Sequence, residues 1–485
     1  MSFLALVLAA STFVRPLERV STMDPAAAQS AYDARAIQLV YETPLAIDYV
    51  ARPYRLVPGF CELPSISEDG LVYVFKLSPH VRGGKEKLTA EDMVRSLERL
   101  RSPDIISPNG WVMKDVSTVR ALDLDTVEIR LNRRVRYFSW LMALSCTAVR
   151  GEDGTGTGPY SLQSWRKNHE MIFVRRAQYA DAKAFSKIRY LVIDDLSTQW
   201  LMFLRGELDF LGDVSRDNFD VVVGKDGSIA PSLSKLGVRL FSMPTLESAY
   251  IGINMRDKVL GGNKKLRQAL NCAFDFEKWS QFYNGRVAKA NGPVPFGVAE
   301  RIDSPFKYSF NLPLARRLIS EAGYEGGKDP ATGRRLVLRL AIGRASQESR
   351  AAGELLASFF ENIGVKLELD FMTWDAFIKT VNDGRVQLFR MAWVGDYPDV
   401  QNFMQLFYGK NVSPGVNHAN YSNQLYDAAY EKEDFAECQR IVREDCPWVF
   451  THYNKAYSLV GPRVENYIPS DFPYGMERHY KVKKK

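Results

Sequence analysis

Groups suited to metal or nucleophile chemistry are scarce in this sequence. Its 485 residues include five cysteines and five histidines. Cys61, Cys146, Cys272, Cys438 and Cys446 form no CxxC pair, which argues against a zinc site of the usual spacing. Their number is odd, so at least one thiol stays free or pairs between chains. His80, His169, His418, His452 and His479 are scattered and make no HExxH motif. GxSxG is missing, and with it the nucleophile elbow. The glycines between Gly154 and Gly158 lack a following Lys-Ser/Thr, and Pro159 comes next, so they read as a turn rather than a phosphate loop. Acid pairs such as Asp194–Asp195 and Asp396–Asp399 have no evident neighbour to separate their pKa values, as acid–base work requires. No catalytic set can be assembled, and no enzyme activity, metal or cofactor is expected.

Excess charge of one sign is also lacking. Lys and Arg number 64 against 57 acids, for a formal charge of +7. The one basic run is the tail from Lys481 to Lys485, which reads as a solvated end. Without aromatic residues interleaved among cations, nucleic acid is not an expected partner. No stretch approaches the roughly 20 apolar residues of a membrane span. Met1–Ala10, MSFLALVLAA, has the apolar core and small-residue end of an export signal but no basic start. The mature chain is therefore expected to be soluble and exported, periplasmic or in the cell envelope.

What is present is an ordinary globular composition, 46% apolar and 25% charged, long enough for two or three domains. Leu71–Leu77 follows the turn pair Asp69-Gly70, as a hairpin arm would. Thr89 fits a helix N-cap with Asp92 as its N3 partner, and Met93, Leu97 and Leu100 share one apolar face. The run Gly151–Gly158 reads as flexible punctuation where the chain passes between domains. From about Tyr250 helices alternate with strands. Helices are expected over Pro313–Gly323, Ser346–Asn362 and Trp374–Val381. Strands are expected through Leu336, Leu338 and Leu340, through Val365, Leu367 and Leu369, and over Val386–Trp393. Such alternation implies a sheet covered by helices, with ligands at strand ends.

The run RMAWVGDYPD, Arg390–Asp399, falls at one such end. It offers an acid, an indole, a guanidinium and strand backbone within ten positions. Those groups suit an extended peptide: an acid for its amine, main chain for its backbone, a cation for its carboxylate.

Several ordered stretches resemble the family 5 extracellular solute-binding proteins of ABC importers, the oligopeptide- and dipeptide-binding group. They are Met23-Asp24-Pro25 with Val40–Leu45, Ser67–Phe75, Leu88–Arg99, Gly156–Tyr160 with Trp165, Tyr250 and Asn254 with Arg267–Asp275, and Trp393–Phe403 with Asn420–Asn423. The resemblance implies an α/β, bilobal fold of the periplasmic-binding-protein type II class with an extra N-terminal subdomain. It implies lobe I over 1–44, 156–247 and 457–485, the subdomain over 45–155, and lobe II over 248–456. It further implies a monomeric, non-catalytic receptor that closes on short peptides and delivers them to a membrane permease. By resemblance, Asp396 would hold the ligand amine and Trp393 would pack near its first side chain. Arg390 would meet the carboxylate of a short peptide, and backbone at Ala392 and Val394 would pair with the ligand main chain. Gln29 and Asn109 fall where relatives have ligand-facing residues in the opposite lobe. There they replace what is often an acid and a tyrosine, and Tyr426–Cys438 is compressed. The same family includes binders of metal chelates, opines and oligosaccharides, which stand as alternatives beside a hydrolase.

Overall fold

The structure is a computed structural model and describes residues 12–17, 20–82, 88–105, 107–212, 216–224, 227–472 and 474–482. The expected export signal and the last three lysines lie outside the described residues. The chain forms two compact units, Met1–Met243 with Ala456–Lys485, and Pro244–Lys455.

In the first unit the strand Thr12–Leu17 pairs in parallel with Lys187–Val192, followed by Glu170–Arg175 and Tyr160–Arg166 in antiparallel order. The helix Ala31–Val40 starts at a capping box in which Ser30 and Asp33 satisfy each other's backbone donors. Its Ile37 and Leu39 join Phe13, Phe173, Ile188 and Tyr190 in one buried core. A second sheet runs Ser65–Ile66, Val72–Lys76, Thr126–Leu131, Val116–Ala121. Its first hairpin turns at Gly70, whose φ of 69° suits a residue without Cβ. The helix Ala90–Glu98 begins where the sequence places it, with the Thr89 N–H donating to the Asp92 carboxylate at 2.8 Å. Met93, Leu97 and Leu100 are all buried beneath it.

The Gly151–Gly158 run departs from the flexible segment expected. A Cβ on Gly156 would lie 2.3 Å from the Val40 carbonyl oxygen, and one on Gly158 2.6 Å from that of Leu39. These glycines serve close packing against the end of the Ala31–Val40 helix. The Gly158 N–H donates to the Val40 carbonyl at 2.9 Å, which fixes the approach.

The second unit is built on a sheet in the order Trp448–Val460, Arg239–Ile253, Leu388–Val394, Val337–Ile342, Lys366–Phe371, the first two of these strands carrying the chain across the unit's bounds. Val337–Ile342 runs parallel to both its neighbours, and Leu388–Val394 runs antiparallel to Arg239–Ile253. Parallel neighbours need crossover helices, and Gln347–Glu361 and Trp374–Asn382 supply them. Leu338, Leu340, Phe359 and Phe360 are buried between these layers. The five cysteines are all free and buried. Among the described residues no helix is long and apolar enough to cross a membrane.

Candidate functional site

The strand Leu388–Val394 has two different edges. On one edge it pairs along its whole length with Arg239–Ile253, from Leu388 opposite Ile253 to Val394 opposite Glu247. On the other edge Val337–Ile342 pairs only as far as Ile342 opposite Arg390. Among the described residues no strand continues that pairing along Met391–Val394. The Gly395 N–H donates to the Leu246 carbonyl at 2.8 Å, which fixes the phase of the ladder. Donors and acceptors alternate along an antiparallel strand, so the main chain of Ala392 and Val394 points to the open edge. Their side chains are exposed, Val394 at 65%.

Side chains alternate as well. Arg390, Ala392 and Val394 share one face with Ile251, Ala249 and Glu247, while Trp393 leaves from the opposite face with Ser248. Arg390 and Trp393 therefore do not converge. The indole Nε1–H of Trp393 donates to the Asn402 Oδ1 at 2.9 Å, and the Asp396 N–H reaches the same oxygen at 3.3 Å. The Asn402 amide in turn donates to Asp396 Oδ2 at 3.4 Å. Asn402 is fully buried and thus holds both the indole and the acid. The turn is tight because Gly395 leaves no room, a Cβ there lying 2.7 Å from Leu246 and 2.8 Å from Phe403. Asp399 caps the next turn by accepting from the Gln401 N–H at 2.9 Å.

Asp396 is reached by solvent, yet protein surrounds its carboxyl closely enough to remove part of its hydration. That desolvation raises its pKa above the ordinary carboxylate range, and the Asn402 hydrogen bond only partly opposes it. Among the described residues no cation lies within ion-pairing distance of Asp396, and no carboxylate within that distance of Arg390. The Arg390 Nη2 donates to the Tyr283 hydroxyl at 2.7 Å, and its guanidinium lies 5.5 Å from the Trp279 ring. Trp279 Nε1–H donates to His452 Nδ1 at 3.0 Å. Burial, with Arg390 nearby, pushes His452 down to about 3, so the imidazole is neutral and adds no charge.

Gln29 and Asn109 belong to the first unit and lie together. The Asn109 amide donates to the Ala28 carbonyl at 2.7 Å, next to the exposed Gln29. Two residues at the strand escape a motif reading. Asn402 stands inside the quoted Trp393–Phe403 stretch but acts only through the turn that folds it back. Glu247 is brought opposite Val394 by strand register, and its half-buried carboxyl is raised by desolvation that an Asn454 hydrogen bond only partly offsets.

An open strand edge, an unpaired acid at one end and an unpaired guanidinium at the other suit an extended ligand with an amine and a carboxylate. Comparison with known proteins identifies the family and the fold. The family model for bacterial extracellular solute-binding proteins, family 5 (middle region), matches residues 55–415. Heme-binding protein A of Haemophilus influenzae is 23% identical, over 88% of this chain and 83% of that one. The dipeptide-binding protein of Escherichia coli is 22% identical, over 96% of this chain and 95% of its own. The solved structure of HbpA2 from Haemophilus parasuis superposes with a TM-score of 0.84 at 22% identity, covering 98% of this chain and all of that one. The fold is thus the α/β, bilobal fold of these periplasmic binding proteins.

Proposed function

Because this chain belongs to the family 5 bacterial extracellular solute-binding proteins, we propose that it captures short peptides and delivers them to an ABC-type permease in the membrane. It acts outside the cytoplasm, as a monomer, and binds without catalysing a reaction. The observation that carries this reading is the pair of uncompensated charges, Asp396 and Arg390, at the two ends of the open edge Met391–Val394. A charge-assisted bond from an ammonium to Asp396 is stronger than a neutral one, and it restores the solvation that the carboxylate lacks. Main-chain groups of Ala392 and Val394 pair with the peptide backbone as an added strand does, independent of its side chains. Four residue steps separate Arg390 from Val394, about 13 Å at the usual strand rise, which matches roughly four extended residues. The name of the Escherichia coli relative supports a peptide ligand, and that of the Haemophilus influenzae relative makes haem the competitor.

Native mass spectrometry of protein purified without refolding tests the assignment. Peptides of a few residues with free amines are the expected bound species. Haem, a sugar, an opine or a metal chelate in their place overturns it.

A further inference from the structure

The first unit holds a cavity of its own, apart from the open strand edge. It lies where the hairpin of Leu45–Asp48 and Arg55–Pro58 meets the C-terminal end of the Ala31–Val40 helix and the Arg478–His479 segment. Its volume is about 410 Å³, within the range that small-molecule sites occupy. All its lining residues belong to this unit.

Its wall has an apolar side and a charged end. Ile47, Val57, Pro58 and Tyr41 form the apolar side. The Tyr49 and His479 rings stack with centroids 5.0 Å apart and planes within 26°. At the charged end Arg478 donates through Nη1 to the Gln38 carbonyl at 3.3 Å and through Nε to His479 Nε2 at 3.2 Å. Arg175 donates to the carbonyls of Phe185, Tyr179 and Arg478 and to the Tyr160 hydroxyl. Every one of these acceptors is neutral. Among the described residues neither arginine has a carboxylate within ion-pairing distance.

Each acid of the wall has a closer partner than the two arginines, although Glu42 also acts on Arg478 through space. Glu42 is paired with His80 at 2.9 Å, and Asp48 with Arg55 at 2.8 Å. His479 adds no charge, because burial and the two arginines push it down to about 3. Its Nε2 accepts from Arg478, so its proton sits on Nδ1. Solvent reaches His479 and part of Arg478, so the charged end is open to an incoming group.

Two guanidinium groups with no carboxylate in direct contact, Glu42 acting on Arg478 only from a distance, face an aromatic pair and an aliphatic wall and recognise a small organic anion with a flat apolar body. The geometry points to a binding site for an aromatic carboxylate, with Arg478 taking the carboxylate and Tyr49, Ile47 and Val57 taking the ring. The site rests on the first unit alone and stands whether or not the open strand edge binds peptides. Arg478 is suited to the role because a guanidinium presents a planar fork that matches a carboxylate.

Calorimetry on the full chain tests it, with indole-3-acetate as the probe. Indole-3-acetamide serves as its neutral counterpart, and inorganic phosphate as an anion without a ring. Indole-3-acetate is expected to bind with one site, and the acetamide about tenfold or more weaker, since the loss of one charge-assisted contact is of that order. Phosphate is expected not to saturate the site. Arg478→Met, which keeps the aliphatic stem, should weaken indole-3-acetate by about tenfold or more. Val57→Trp, which fills the cavity and leaves Arg478 in place, should abolish binding, and it answers the case in which Arg478→Met does not fold. Asp396→Asn should bind the probe as wild type does. No binding to wild type, equal binding of the acetamide or of phosphate, or binding unchanged by Val57→Trp overturns the site. Loss of binding in Asp396→Asn overturns it too, by moving the probe to the strand edge.

Discussion

Glu477 is fully buried and sits between two buried arginines. Its Oε1 lies 2.7 Å from Arg15 Nη1 and 3.9 Å from Arg35 Nε. Arg15 also lies over the Phe210 ring at 4.3 Å, and burial lowers its pKa more than Glu477 raises it. Replacing Glu477 with Ala leaves two guanidinium groups in the core of the first unit with no countercharge. Breaking a buried pair in this way costs about 3–5 kcal/mol. A kcal/mol shifts the midpoint of a domain of this size by roughly 2–4 °C, so the first unit's thermal transition should fall by roughly 10 °C. Glu477→Gln keeps the shape and should fall between wild type and Ala. The triple replacement Arg15→Met, Arg35→Met, Glu477→Leu removes all three charges and should recover much of the loss, since apolar substitutes for buried ion pairs are often neutral or better. The assay is thermal and urea unfolding followed by circular dichroism, with fluorescence to separate the two units. If Glu477→Ala lowers stability by less than about 1 kcal/mol, the triad is not the core electrostatic contact described and the reasoning fails.

Further outcomes follow from the same reading. Asn402→Leu removes the acceptor shared by Trp393 and Asp396. It should shift the tryptophan emission and destabilise the second unit by about 1–3 kcal/mol, measured by fluorescence-detected unfolding. Gly156→Ala places a Cβ against the Val40 carbonyl and should cost about 1–3 kcal/mol, read as a lower urea midpoint. The His80 pKa is raised above 6.5 by its hydrogen bond to Glu42. Its stabilising contribution is therefore complete below that pH and is lost as pH rises through the higher folded value. His80→Gln should flatten this segment of the stability–pH profile.

Much of the fold is legible in the sequence where local signals agree with tertiary packing. Thr89 with Asp92 and the alternation Leu336, Leu338, Leu340 fix a helix start and a buried strand without further information. The Gly151–Gly158 run is different. Glycine serves loose loops and close contacts alike, and only Val40 in space tells them apart. In the candidate site, the spacing of Arg390 and Asp396 and the strand between them can be read directly. Strand parity separates Arg390 from Trp393, since three positions is an odd step. The roles of Asn402 and Glu247 are not legible, because one depends on how the DYPD turn folds back and the other on register with a strand about 150 residues earlier.

The most direct test of the central reading is calorimetry of wild type and Asp396→Asn with a tripeptide such as trialanine. Removing one partner of a desolvated charge pair costs about 2–5 kcal/mol, so the variant should bind roughly 30-fold weaker or worse. N-acetylated trialanine should bind neither protein. Affinity of wild type should fall as pH drops through the raised Asp396 value, because the protonated acid cannot hold an ammonium. Equal binding by wild type and Asp396→Asn, or tight binding of the acetylated peptide, contradicts the account.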